Sequence, residues 1–122
     1  IEILNEDYMA LNGSKILVLG VAYKSDIDDY RESPALDVID IMSKKGAEID
    51  FYDPMISEYK YKGIKHQGLT EIPDNLTEYD LIMLLSASSQ FDYQAIAEKA
   101  QRIFDTRNAF ATVKDRNNIY LL

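Results

Sequence analysis

Two periodicities of apolar residues alternate along this chain. Lys15-Ile16-Leu17-Val18-Leu19-Gly20 is a continuous apolar run closed by glycine, the pattern of a strand buried on both faces. Ser33-Pro34 then opens a helix, because serine can cap free amides and proline has none to leave unpaired at the first helical position. Ala35, Leu36, Val38, Ile39 and Met42 form one apolar helical face. Lys44-Lys45-Gly46 supplies the positive charge and glycine stop suited to its carboxyl end. Ala47, Ile49 and Phe51 return to a period of two before Asp53-Pro54, which reads as a tight turn. This strand-helix-strand run has the length of a parallel crossover.

Further strands are expected at Asp80 to Leu85, at Arg102 to Asp105 and, briefly, at Asn118 to Leu122. Asp92 caps a second helix carrying Ile96, Ala97 and Ala100. Between Met55 and Pro73 the pattern weakens. Tyr59 to Lys62 suits a loop or a short helix, a short strand fits Ile64 to His66, and Pro73 limits any helix between Thr70 and Tyr79. Ahead of the Asn12-Gly13-Ser14 turn, Ile1, Ile3, Leu4, Tyr8 and Leu11 follow a loose helical spacing. The whole predicts an α/β fold: a three-layer α/β/α sandwich, Rossmann-like, with a mainly parallel sheet of about five strands.

Composition narrows the chemistry. The 122 residues suffice for one domain, and 47% hydrophobic with 28% charged residues is the balance of a soluble globular protein. There is no cysteine, which excludes disulfides, zinc–thiolate sites and a thiol nucleophile within the chain. With His66 the single histidine, a multi-histidine metal site is excluded too, and no metal is expected. A formal charge of −8 opposes binding to nucleic acid or an anionic membrane. No apolar run approaches the length of a membrane span and no basic leader opens the sequence, so a cytoplasmic location is expected. The first residue is Ile1 rather than Met, which suggests a fragment.

Open parallel sheets bind ligands beyond the carboxyl ends of their strands, where helix amino termini also point. Residues 20–33, 86–92 and 105–108 should lie at that edge. The first of these, Gly20 to Ser33, has neither the three-glycine dinucleotide fingerprint nor Walker spacing. It offers Lys24 and Arg31 with carboxylates between them. The cations suit phosphates or ribose hydroxyls, and the carboxylates can hold the cations by charge-assisted hydrogen bonds. On composition alone it reads first as a solvated polar loop.

Gly20-Val21-Ala22-Tyr23-Lys24, continued by Asp26, Asp28-Asp29 and Arg31-Glu32-Ser33-Pro34-Ala35, closely resembles the opening of the carboxy-terminal domain of the UDP-glucose/GDP-mannose dehydrogenase family. Gly46-Ala47 with Tyr52-Asp53-Pro54, and Asp105-Thr106-Arg107-Asn108, continue the resemblance in order. It implies an enzyme that oxidises the sugar C6 hydroxyl of a nucleotide sugar, a UDP-sugar by preference, to a carboxylate in two NAD-dependent steps, supplying polysaccharide precursors. An amino-terminal domain would bind most of the NAD. A central helical region would carry the catalytic cysteine and the contact of a homo-oligomer. By the same resemblance, residues 1–13 are a linker left from that central region and 14–122 the nucleotide-sugar-binding domain, inactive alone. Lys24 would contact the nucleotide sugar, Tyr23 would help form its pocket, Arg107 would hold the nucleotide, and Arg31 would reach NAD across the domain cleft.

Structural alternatives stand beside each role. Lys24 can be a solvated lysine, Tyr23 a packing residue, Arg31 a partner of Asp28, Asp29 or Glu32, and Arg107 a counter-charge to Asp105. The chain also departs from the family: many members carry a histidine where Ser86-Ala87-Ser88-Ser89-Gln90-Phe91 stands. His66 lies elsewhere and reads as an ordinary surface residue. Arg107-Asn108 leans toward members acting on N-acetylhexosamine nucleotides. The rival from another class is a phosphorelay receiver, for which Asp28-Asp29 imitates an acidic metal-binding pair, though eight residues beyond Gly20.

Overall fold

The strands expected from the long apolar runs form one sheet in the computed structural model, which describes residues 11–122. The helical spacing read from Ile1 onward falls mostly outside the described residues. Strands β1 (Lys15–Leu19), β2 (Glu48–Tyr52), β5 (Leu81–Leu84), β6 (Ile103–Asp105) and β7 (Ile119–Leu121) lie in the order β2-β1-β5-β6-β7. Every neighbouring pair is parallel.

Alternation along β1 decides the layers. Ile16 and Val18 point to the face covered by helix α1 (Pro34–Lys44), where Leu36, Ile39 and Met42 meet them together with Leu81 and Met83. Leu17 and Leu19 point to the other face, with Ile82, Leu84, Phe110 and the Ile96 and Ala97 side chains of helix α2 (Tyr93–Lys99). The four β1 side chains from Ile16 to Leu19 are wholly withdrawn from water, each contributing about 1.5–3 kcal/mol. Both helices start as the sequence indicates: Ser33 caps α1 through the Ala35 amide, and Asp92 caps α2 through the Ala95 amide.

The weakly patterned segment folds differently from the loop or short helix expected over Tyr59 to Lys62. Strands β3 (Glu58–Tyr61) and β4 (Ile64–Gln67) form an antiparallel hairpin of their own. Lys62 and Gly63 both take positive φ, 50° and 79°, as a two-residue hairpin turn of that twist requires. Tyr59 is buried against Phe51 and Tyr30, and its ring stacks on His66 at 4.8 Å. His66 is thus half-buried in an aromatic stack rather than an ordinary surface residue. Four-residue strands carry too few alternations to declare themselves, and the tertiary burial of Tyr59 settles the outcome. Residues 70–79 contain no helix; Leu76 and Tyr79 instead cover the second face of the sheet.

At the carboxyl end of β1 the chain turns at Gly20, with φ of 81°. A Cβ there would lie 2.1 Å from the Ser86 carbonyl oxygen. Glycine therefore lets the exits of β1 and β5 touch at the point where their connections diverge.

Candidate functional site

The loop from Gly20 to Ser33 is anchored at several points. Asp53, buried at the end of β2, accepts the Val21 and Ala22 amides at 2.9 and 3.2 Å through one oxygen and the Met55 amide at 2.9 Å through the other. The Tyr23 amide donates to the Asp29 carbonyl at 2.7 Å, folding the loop back on itself. Ile27 and Tyr30 pack against the α1-side core. Ser33 donates its hydroxyl to the Ala22 carbonyl at 3.3 Å, joining the loop's two ends. The solvated-loop reading therefore fails for the backbone, while the Tyr23 and Lys24 side chains remain exposed.

Arg31 is held by Asp29. Its Nε and Nη2 donate to the two Asp29 oxygens at 3.0 Å each, and its backbone amide adds a third bond at 2.9 Å. These bonds hold the Asp29 carboxyl below its ordinary range. The Arg31 side chain is nonetheless 82% exposed, so its remaining donors face outward in a fixed fork. Tyr23, Asp29, Arg31 and Glu32 surround a shallow hollow of about 390 Å³.

The loop after β5 is tied to the first loop. Asp26 Oδ1 accepts the Ser88 hydroxyl at 3.1 Å and the Ser89 amide at 2.9 Å. The Ser89 amide foremost holds the Asp26 carboxyl below its ordinary range, against some loss of hydration. The Tyr93 phenol, at the start of α2, accepts the Ser88 amide at 3.0 Å and donates to the Ser88 carbonyl at 2.9 Å.

After β6, buried Asp105 repeats the device of Asp53. Its oxygens accept the Arg107 and Phe110 amides at 2.9 Å each. Asp105 thus binds the Arg107 backbone, while the guanidinium turns away, its Nε donating to the Leu85 carbonyl at 3.2 Å. Asn108 follows in the left-handed region, φ 57°, which asparagine tolerates well. Arg107, Thr106 and Leu85 line a hollow of about 220 Å³ with Ala22, Ser33 and Pro34 at the head of α1.

Tyr23, Lys24, Arg31 and Arg107 all stand at the carboxyl edge of the sheet. Arg107 shares its hollow with Ala22 and Ser33; Tyr23 and Arg31 share the neighbouring one. Lys24 lines neither, its ammonium lying 5.9 Å from the centre of the Tyr23 ring, and no ion pair joins it to a carboxylate among the described residues. The sequence left Asp26, Asp53, Asp105 and Tyr93 without site roles. An aspartate at the end of a buried parallel strand was the legible signal for two of them. The receiver alternative finds no support, because the central strand β5 exits through Leu85 and Ser86 with no acceptor aspartate.

The family model described as UDP-glucose/GDP-mannose dehydrogenase family, UDP binding domain, matches residues 17–112. The chain belongs to this family. As its UDP binding domain, the chain is 33% identical over 114 residues to the UDP-glucose 6-dehydrogenase of Rickettsia bellii, covering 87% of this chain and 26% of that protein. It is 29% identical over 102 residues to the UDP-N-acetyl-D-mannosamine dehydrogenase of Methanococcus vannielii, covering 77% of this chain and 22% of that one. The chain therefore spans about a quarter of the length of these dehydrogenases. Among solved structures, the UDP-N-acetyl-mannosamine dehydrogenase Cap5O of S. aureus aligns with a TM-score of 0.68 at 26% identity, over 89% of this chain and 26% of that one. The NDP-N-acetyl-D-galactosaminuronic acid dehydrogenase of Methanosarcina mazei Go1 shares the fold at a TM-score of 0.73 and 22% identity, over 99% of this chain and 26% of that one.

Proposed function

We propose that residues 14–122 hold the nucleotide of a UDP-sugar at the carboxyl edge of the sheet, within an NAD-dependent nucleotide-sugar 6-dehydrogenase. The observation carrying this reading is that Lys24 and Arg107, without sharing a hollow, both stand at the carboxyl edge of the sheet in a chain whose net charge is −8. Two cations counter that field locally, as a diphosphate requires. Arg107 grips phosphate beside the head of α1, Lys24 reaches the sugar side, and Tyr23 offers an exposed aromatic face to the pocket. Arg107-Asn108 favours an N-acetylhexosamine nucleotide as the substrate.

Arg31 fits an NAD contact: the fork is preset by Asp29 and its outer donors are exposed. NAD, when bound, supplies the hydride acceptor. Most of its binding falls to a domain beyond this chain, which has no dinucleotide fingerprint and no cysteine. A homo-oligomeric cytoplasmic parent enzyme serving polysaccharide precursors completes the reading; no described helix is long and apolar enough to cross a membrane.

The test is a titration of UDP into the 15N-labelled chain. Amide shifts should concentrate in residues 20–33 and 105–110, with affinity weakened because half a cleft cannot enclose its ligand. Shifts confined to the opposite edge of the sheet, or none at millimolar UDP, would reject the site. With UDP-sugar and NAD the chain alone should produce no NADH.

A further inference from the structure

Tyr23-Lys24-Ser25 is a short span with fixed backbone on both sides. Before it, the Val21 and Ala22 amides end on buried Asp53. After it stands Asp26 in the left-handed region at φ 61°, a conformation that aspartate is among the few residues to tolerate. From there its carboxylate reaches the neighbouring loop, taking the Ser88 hydroxyl and the Ser89 amide. Ser88 is itself fixed. It is 6% exposed, its oxygen also accepts the Gln90 amide at 3.1 Å, and Tyr93 grips its amide and carbonyl. Asp26 and Ser88 are 62 positions apart, so no local preference makes this contact.

The tie does little for the core. Asp26 is exposed, and the loop's apolar contacts run through Ile27 and Tyr30. What it fixes is the position of the backbone immediately after Lys24, relative to a rigid neighbouring loop.

We propose that Asp26 is a positioning residue for the nucleotide site: by fastening the first loop to residues 86–91 it sets Lys24 before ligand arrives. This rests on the nucleotide-binding reading above. A preset lysine spares the ligand the entropy of ordering the loop. The loop from Ser86 to Phe91 thereby contributes to affinity through Asp26 without touching the ligand.

UDP titrations of the chain and its variants test this. Asp26→Gly accepts the positive φ but removes the carboxylate, and should weaken UDP binding roughly tenfold, the scale of ordering one loop on binding. Asp26→Asn keeps an acceptor oxygen and suits the same φ, so it should bind within about twofold of the unvaried chain. In a Lys24→Ala background, Asp26→Gly should cost nothing further, because residues acting through one another are non-additive. Ser88→Ala, which removes one donor, should give a smaller loss with the same dependence on Lys24 and serves if the glycine variant does not fold. Unchanged affinity in folded Asp26→Gly, or a loss of full size without Lys24, overturns the inference alone. An unvaried chain that does not bind UDP overturns both the inference and the function it rests on.

Discussion

Asp53 holds the amide of Val21 at 2.9 Å across 32 positions of chain, through a carboxylate that is only 7% exposed. The sequence reading of Asp53-Pro54 as a turn captures its bonds to the Met55 amide and, through the carbonyl, to the Ile56 amide. The larger role is to fix the exit of β1, from which the loop of residues 20–33 departs.

Removing that carboxylate leaves loop amides without partners. Asp53→Ala should cost about 2–4 kcal/mol in urea unfolding, since hydrogen bonds to a charged acceptor are worth about 1.5–3 kcal/mol each and do not add fully. Asp53→Asn should also destabilise, because its NH2 group would face an amide donor in place of one carboxylate oxygen. An asparagine variant as stable as the unvaried chain would show that one oxygen suffices.

Gly20→Ala combines a positive φ with a Cβ 2.1 Å from the Ser86 carbonyl oxygen. The expected loss is about 2–4 kcal/mol, from strain and the backbone shift together. Thermal unfolding measures it. A fall in Tm of a degree or less would mean the β1 and β5 exits separate freely.

On the ligand side, Lys24→Ala and Arg107→Ala should each weaken UDP binding by roughly tenfold, about 1.4 kcal/mol for a charge-assisted contact. Arg107→Lys should not restore it, because the planar guanidinium spends Nε on the Leu85 carbonyl and keeps its outer donors in a fixed fork, which a single ammonium does not reproduce. Calorimetry on the three variants decides this; full rescue by lysine would reduce Arg107 to a point charge.

Alkaline pH should weaken the hairpin's attachment. Burial, and then the charge of Asp40, push the Tyr59 phenol up to about 12. The Tyr61 phenol is likewise pushed up to about 12, first by its 2.6 Å hydrogen bond to Asp37. Both folded values lie above the unfolded value of about 10. Their stabilisation is therefore fully present below pH about 10 and is lost as pH rises toward 12. Urea midpoints should hold to about pH 10 and then fall, with a shallower fall in Tyr59→Phe. A flat profile to pH 12 in the unvaried chain would contradict the burial of Tyr59.

Long apolar runs and helix caps made the main sheet, both helices and the two-faced core legible from the chain alone, because a strand buried on both faces has no polar alternation to hide it. The same strand pattern placed the loops that carry Tyr23, Lys24, Arg31 and Arg107 at one edge. Tertiary structure alone decided the strand at Glu58–Tyr61, where burial of Tyr59 outweighs a weak local pattern, while its partner was legible as a short strand at Ile64 to His66. It alone decided what the aspartates hold: the strand-end places of Asp53 and Asp105 are legible in the chain, but their amide partners, and any role for Asp26, are not. Their roles are set by amides that the fold delivers from distant positions, and a hydrogen bond between distant residues leaves no periodic trace in the chain.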